Sequence, residues 1–159
     1  MNDSDFSHIR HHYAGVLLIT EDGLLIGQQR DDTPGIDNPG RVGTFGGTME
    51  KGETPQQAAW RELVEEETNL KVNIEELRLF LVDTAFRKLT NEYEARHFYA
   101  LKITNQQLDS LEVYEGQGWA EISGSDDPLL IDLWRPVITA YEHSFGTRPL
   151  FSAKWDSMK

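Results

Sequence analysis

Gly46-Gly47-Thr48-Met49-Glu50-Lys51-Gly52-Glu53-Thr54-Pro55-Gln56-Gln57-Ala58-Ala59-Trp60-Arg61-Glu62-Leu63-Val64-Glu65-Glu66-Glu67 is the stretch that decides the architecture of this chain. Its glycines let the backbone curl tightly and approach a ligand closely. Thr54 then reads as a helix N-cap, with Pro55 at the first helical position and Gln57 placed to reach back to the cap. The helix is expected to run to Glu67 or Thr68. At about 100° per residue, Glu62, Glu65 and Glu66 share an arc of roughly 100°. Trp60, Leu63 and Val64 fall on another arc, able to face a sheet, and Glu67 is expected to point toward the opposite side.

Acids on one helical patch repel each other by about 0.2–0.5 kcal/mol per i,i+4 pair. Either the patch is a solvated face, or a cation sits in it. Hard oxygen donors select Mg²⁺ or Mn²⁺, and Mg²⁺ is usually held by a few carboxylates, waters and substrate phosphates. Charge balance points the same way. Lys plus Arg number 15 against 27 Asp plus Glu, a net charge of −12. Such a field repels DNA, RNA and acidic membranes, so a phosphate ligand needs a bridging cation.

Outward from this stretch, 159 residues are enough for one domain. The absence of cysteine excludes a disulfide scaffold, and 38% hydrophobic with 26% charged residues is the balance of a folded protein. Apolar runs such as Val16 to Ile19 fall far short of the ~20 residues that cross a bilayer. The start of the chain lacks the basic and apolar pattern of a signal peptide, so a soluble, cytoplasmic protein is expected.

Tyr13 to Thr20 and Leu24 to Gln29, split by Asp22-Gly23, read as a hairpin. Residues 31–43 hold Pro and Gly breakers and form a long loop, of the kind that carries function. Leu77 to Phe86 and Ala95 to Ile103 suggest a second antiparallel pair, Gln106 to Leu111 a short helix and Trp119 to Ile122 a strand. Asp126 or Asp127 is placed to cap a last helix carrying Leu129, Leu130, Leu133, Trp134, Val137, Ile138 and Tyr141. This order predicts a mixed sheet with helices packed against it. Residues 1–10 are expected to be a disordered tail, 11–143 the domain, and 144–159 an extension packing on the domain or on a second copy of the chain, which leaves a homodimer open.

Gly47, five residues, Glu53, seven residues, then Arg61-Glu62-Leu63-Val64-Glu65-Glu66 resembles the Nudix box. Glu115-Gly116-Gln117, ahead of Trp119, resembles the downstream acidic motif of the MutT-like branch. The resemblance implies an α/β/α sandwich and a Mg²⁺-dependent pyrophosphohydrolase acting on a nucleoside diphosphate linked to another group. The expected substrate is a nucleoside triphosphate, oxidised or not, cleaved to monophosphate and pyrophosphate; the alternative is a nucleotide sugar or ADP-ribose type of compound. A non-catalytic nucleotide-binding regulator is the reading from another class. The isoprenoid diphosphate isomerase variation is disfavoured, since it relies on a cysteine.

The same resemblance implies site roles. Glu62, Glu65 and Glu66, with the Gly46 carbonyl, are the expected metal ligands. Glu53 orients Arg61, and Glu115 is an extra ligand or the general base, a role it shares as a candidate with Glu62. One departure stands out: the box expects glycine where Thr68 stands and an apolar residue where Asn69 stands. The pair Glu65-Glu66 keeps the spacing from Arg61, whereas Glu66-Glu67 keeps the spacing to Leu70. Helical phase from Glu62 favours Glu65 and Glu66. For the substrate, Arg30, Arg41, Arg87, Lys88 and Arg96 lie in or beside loops expected around the cleft. Asp126 or Asp127 is a candidate for reading a purine edge, and Phe45 for stacking on a base, although core is favoured for Phe45. A small nucleotide is the expected partner, with no nucleic-acid polymer and no membrane.

Overall fold

The computed structural model describes residues 8–145. Residues 1–7 and 146–159, which make up most of the expected tail (1–10) and of the expected C-terminal extension (144–159), lie outside the described residues. β1 (His11–Ile19) and β2 (Leu25–Gln29) form the hairpin that Asp22-Gly23 signals, paired through Leu18↔Ile26 and Ile19↔Leu25. The rest of that edge of β1 is taken by β4 (Phe45–Thr48), from Tyr13↔Thr48 to Val16↔Phe45. Along the opposite edge, β6 (Glu92–Lys102) runs parallel to β1, and β5 (Arg78–Arg87) closes the second antiparallel pair. β3 (Val42–Gly43) and β7 (Gly118–Ile122) both pair with β2. The sheet is mixed, in the order β3-β2-β1-β6-β5 with β4 on β1 and β7 on β2.

The period-2 alternation of β1 sorts the core into two layers. Ala14, Val16 and Leu18 face a cluster with Phe45, Ala58, Ala59 and Leu63, beneath α1 (Pro55–Trp60). Tyr13, Leu17 and Ile19 face the other side, where Trp134, Val137, Ile138 and Tyr141 cover the sheet from α3 (Arg135–Phe145) and the turn before it. The result is an α/β/α sandwich. The capping box forms as the sequence predicts: the Gln57 N–H donates to Thr54 Oγ1 at 3.1 Å, and the Thr54 N–H to Gln57 Oε1 at 2.9 Å. A second capping box, on Thr104 and Gln107, starts the short α2 (Asn105–Asp109).

The last helix differs from expectation. Neither Asp126 nor Asp127 caps it; a 3₁₀ turn at Asp132–Trp134 leads into α3 at Arg135. The segment before it is claimed by the sheet: the Val42 N–H donates to the Leu129 carbonyl and the Ile131 N–H to the Val42 carbonyl. Pro136, with no N–H to donate, is tolerated in the first turn of the helix that follows. Among the described residues, no helix is long and apolar enough to cross a membrane.

Candidate active site

α1 does not end at Trp60. The chain continues from Arg61 to Glu67 as a π-helix, closed by the Thr68 N–H donating to the Leu63 carbonyl at 3.0 Å. The Thr68 hydroxyl donates to the same carbonyl at 2.7 Å. Thr68 itself is extended (φ −139°, ψ 171°), so the helix stops there, at the position where a glycine exit is expected. A π turn accommodates one more residue than an α turn over the same rise, and such bulges often sit at functional sites. The helix thus absorbs the extra residue internally, and Leu70 reaches the core at 5% exposure.

This widening corrects the helical phase read from Glu62. Glu67, expected on the far side, turns inward and is 1% exposed. The Gly46 N–H donates to its Oε1 at 3.0 Å. Glu62 lies close to both Glu66 and Glu67. Glu65 is exposed and lines a groove with Glu53, Arg61, Gln57, Trp60 and Val72. The acids gathered next to Gly46 are therefore Glu62, Glu66 and Glu67.

Arg61 organises this group. Its guanidinium forks onto Glu53 (Nε to Oε2, 2.6 Å; Nη2 to Oε1, 2.9 Å), and Nη1 donates to Glu62 Oε1 and Glu66 Oε2, both at 3.1 Å. Nη2 also reaches the Thr48 carbonyl, tying the helix to the glycine loop. The hydrogen bond from Arg61 holds the Glu53 carboxyl below its ordinary range, and the bond to Glu53 correspondingly raises Arg61. Glu53 and Arg61, expected to act together, are joined by this fork.

Burial raises Glu62 above the ordinary carboxylate range, with Glu66 adding to the effect. Burial pushes Glu67 further, to about 9, helped by the charges of Glu115 and Glu62. Its Oε2 is buried with no hydrogen-bond partner. A buried carboxylate lacking a partner is costly. A divalent cation would supply what this oxygen lacks, and the all-oxygen donor set suits a hard ion. Among the described residues no group of three or more His, Cys, Asp or Glu stands arranged to hold a metal ion; Arg61 Nη1 bonds both Glu62 and Glu66. Gly47 leaves the necessary room: a Cβ there would meet the Glu62 carboxylate.

The Glu115 loop is strapped to the helix exit. The Tyr114 N–H donates to the Glu67 carbonyl at 2.7 Å, and Gln28 Nε2 donates to the Glu115 carbonyl at 3.3 Å. Glu115 itself is exposed, near enough to Glu67 for its charge to be felt there.

The substrate candidates separate into two groups. Arg30 and Arg87 line a cleft with Gly46, Thr44, Leu133 and Trp134. Both engage Asp37 of the long loop: Arg30 Nε donates to its carbonyl at 2.6 Å and Arg87 Nη2 to its Oδ2 at 3.3 Å. Arg41 is turned to the Leu130 carbonyl, 2.7 Å away. Arg96 is 2% exposed and forks onto Asp83 between the rings of Phe98 and Trp134, so it is structural. Lys88 is exposed on the β5–β6 turn.

Phe45 is fully buried under α1 and offers no face for stacking; the alternation of β4 turns it into the core. Asp127 accepts from the N–H groups of Ser123 and Leu129, both at 2.9 Å, which commits its carboxylate to a turn. Asp126 is exposed beside it. Sequence reasoning missed Glu67, whose signal was its spacing to Leu70, and it missed Asp37 and Tyr114, which no local pattern distinguishes.

A family model described as NUDIX domain matches residues 9–123. Among solved structures, the MutT protein of Methanosarcina mazei Go1 is similar at TM-score 0.65 and 16% identity, over 84% of this chain and 93% of that one. The Ap4A hydrolase of C. elegans is similar at TM-score 0.63 and 20% identity, over 84% and 96%. A bifunctional NMN adenylyltransferase/ADP ribose pyrophosphatase of Francisella tularensis, complexed with AMP and a Mn ion, is similar at TM-score 0.59 and 22% identity over 84% of this chain; the match spans only 41% of that longer chain. At these identities the structural likenesses establish the fold.

Proposed function

The chain belongs to the Nudix family of pyrophosphate-bond hydrolases, and on that premise we propose that it is a Mg²⁺-dependent pyrophosphohydrolase of small nucleotides. The observation that carries this reading is the buried Glu67 carboxylate, held by Gly46 at one oxygen and left without a partner at the other, beside Glu62. Glu62, Glu66 and Glu67, with the Gly46 carbonyl, are the proposed ligands, and Glu115 is an additional one. Glu65, exposed on the groove along Trp60 and Val72, is not in the proposed set. A bound divalent ion, Mg²⁺ or Mn²⁺, would lower the pKa of the attacking water and offset charge on the phosphates.

The protein's own groups do the rest. Arg61, anchored on Glu53, fixes the positions of Glu62 and Glu66. Water attacks phosphorus, a phosphoanhydride P–O bond breaks, and the bridging oxygen leaves with one product. The water proton passes to a carboxylate, Glu62 or Glu115. Arg30 and Arg87 are the proposed partners of the substrate phosphates; Arg87 Nη1 is also paired with Glu94 at 2.9 Å. The net charge of −12 supports a small, cation-neutralised nucleotide over a nucleic-acid polymer as the ligand.

The substrate is a nucleoside diphosphate linked to another group, either a nucleoside triphosphate releasing pyrophosphate or a nucleotide sugar or ADP-ribose type of compound. The test is hydrolysis of a panel of these, with Mg²⁺ and with EDTA, read by chromatography of the nucleotide products. Cleavage of at least one compound that needs Mg²⁺ and disappears in the double variant Glu62→Gln, Glu67→Gln is expected. Metal-independent cleavage, or full activity in the double variant, overturns the reading.

A further inference from the structure

Tyr141 carries a hydroxyl that the fold does not satisfy. The residue is 1% exposed, and its oxygen has no hydrogen-bond partner. Its ring is held edge-on to Phe80, with centroids 5.7 Å apart, and against Phe145 at 4.9 Å, so the hydroxyl is not free to swing out to water. Burial raises its pKa, which keeps the proton in place and leaves a neutral group able both to donate and to accept. A buried hydroxyl without a partner costs stability.

Tyr141 lines a cavity of about 400 Å³ with Leu24, Leu25, Glu121, Ile122 and Glu142, a volume within the ~300–1,000 Å³ that holds small organic ligands. The cavity lies at the far end of the β2–β7 pair from the acid cluster: Leu25 pairs with Ile122 here, and Gln29 with Gly118 at the other end. At the rise of a strand, Leu25 and Gln29 are about 13 Å apart. Leu25 and Ile122 give the cavity apolar walls, 8% and 2% exposed. Glu121 comes from β7 and Glu142 from α3, and no Lys, Arg or His side chain is part of the lining.

Carboxylates only accept hydrogen bonds, and the phenol oxygen accepts as well. A ligand suited to all three brings N–H donors and positive charge, whereas an anion is repelled. A primary ammonium presents three donors, and an aliphatic stem suits the apolar walls. We infer that this cavity binds a primary aliphatic ammonium, with its head at Tyr141, Glu121 and Glu142 and its methylene stem along Leu24, Leu25 and Ile122. The site stands apart from the hydrolase reading and does not depend on it. A free amine and a lysine side chain share this chemistry; n-butylammonium and N-acetyl-lysine amide are the probes that separate them, with n-butanol as the uncharged control.

The test is an amide chemical-shift titration of the full chain. At least one ammonium probe is expected to shift the amides of Leu24, Leu25, Ser123 and Gly124 to saturation, and n-butanol at the same concentration to leave them in place. The tighter probe identifies the source. Tyr141→Phe and Glu142→Gln are each expected to raise Kd about tenfold, the scale of one lost hydrogen bond to a charged group. Without amine, Tyr141→Phe is expected to keep or raise the parent Tm, because no bond within the fold is lost. Shifts that are absent from these amides, that n-butanol reproduces, or that either substitution leaves unchanged overturn the inference. A lowered Tm in Tyr141→Phe overturns it too, since a buried water would then already serve the hydroxyl.

Discussion

The Gly46 N–H donates to Glu67 Oε1 at 3.0 Å, joining a β-strand to the last turn of a π-helix. The contact exists only because the helix is widened by one residue, which swings Glu67 into the core side and Glu65 out of it. The exchange of roles between neighbouring acids is directly testable. Glu67→Gln keeps a side-chain oxygen for Gly46 and removes the carboxyl group that can ionise onto a cation. The metal-free variant is expected to be at least as stable as the parent, while the gain in Tm on adding Mg²⁺, worth ~2.7 kcal/mol at a hundredfold excess over Kd, largely disappears. Glu65→Gln should leave both the metal response and kcat/KM close to the parent values. Thermal melts with and without Mg²⁺ check this, and the opposite pattern would restore Glu65 to the ligand set.

Gly46 and Gly47 should respond differently to one added methyl. At Gly46 (φ 152°) a Cβ would run into the Ala14 backbone carbonyl, which the β1–β4 ladder holds in place. At Gly47 the obstacle is the carboxylate end of Glu62, which can rotate away. Gly46→Ala is therefore expected to lower Tm by several degrees, and Gly47→Ala to fold with little loss. In Gly47→Ala the displaced Glu62 should still reduce kcat/KM by about a hundredfold, the scale of a small misplacement of a reacting group. Circular dichroism melts beside the activity assay separate the two.

Much of this was legible before any coordinates. The Asp22-Gly23 hairpin, the Thr54–Gln57 capping box and the Arg61–Glu53 pairing follow from short-range rules that tertiary structure did not override. The helix exit was not legible by phase alone, because 100° per residue assumes an α-helix. The competing signal, the spacing from Glu66-Glu67 to a buried Leu70, is a tertiary constraint and it prevailed. The start of α3 was misread for a related reason: Leu129 and Leu130 look helical in sequence, but the Leu129 carbonyl and the Ile131 N–H bond to Val42. The cleft at Gly46 and the strap of the Glu115 loop depend on Asp37 and Tyr114, which arrive from loops distant in sequence.

Arg61 bonds three acids through one planar group, so a lysine in its place cannot reproduce the fork. Arg61→Lys is expected to weaken Mg²⁺ affinity by about 10–100-fold, as for other groups that orient metal ligands. The effect should appear as a raised Mg²⁺ concentration for half-maximal activity. An unchanged metal requirement would mean that Arg61 serves only the glycine loop.

Asp127 supplies the pH test. Burial alone would raise its carboxyl, but the Ser123 and Leu129 N–H groups and the charge of Arg135 hold it below its ordinary value. Its folded-state pKa therefore lies under the unfolded value of ~3.9. With that sign, the stabilisation is complete above about pH 4 and is lost as pH falls through the folded pKa. Asp127→Ala removes the acceptor and leaves two backbone donors without it, a loss of about 1–3 kcal/mol when such donors are buried. The Tm difference between parent and variant should accordingly be constant from neutral pH down to about pH 5 and shrink below pH 4. A gap that widens in acid would mean that the carboxylate is not what holds the turn ahead of α3.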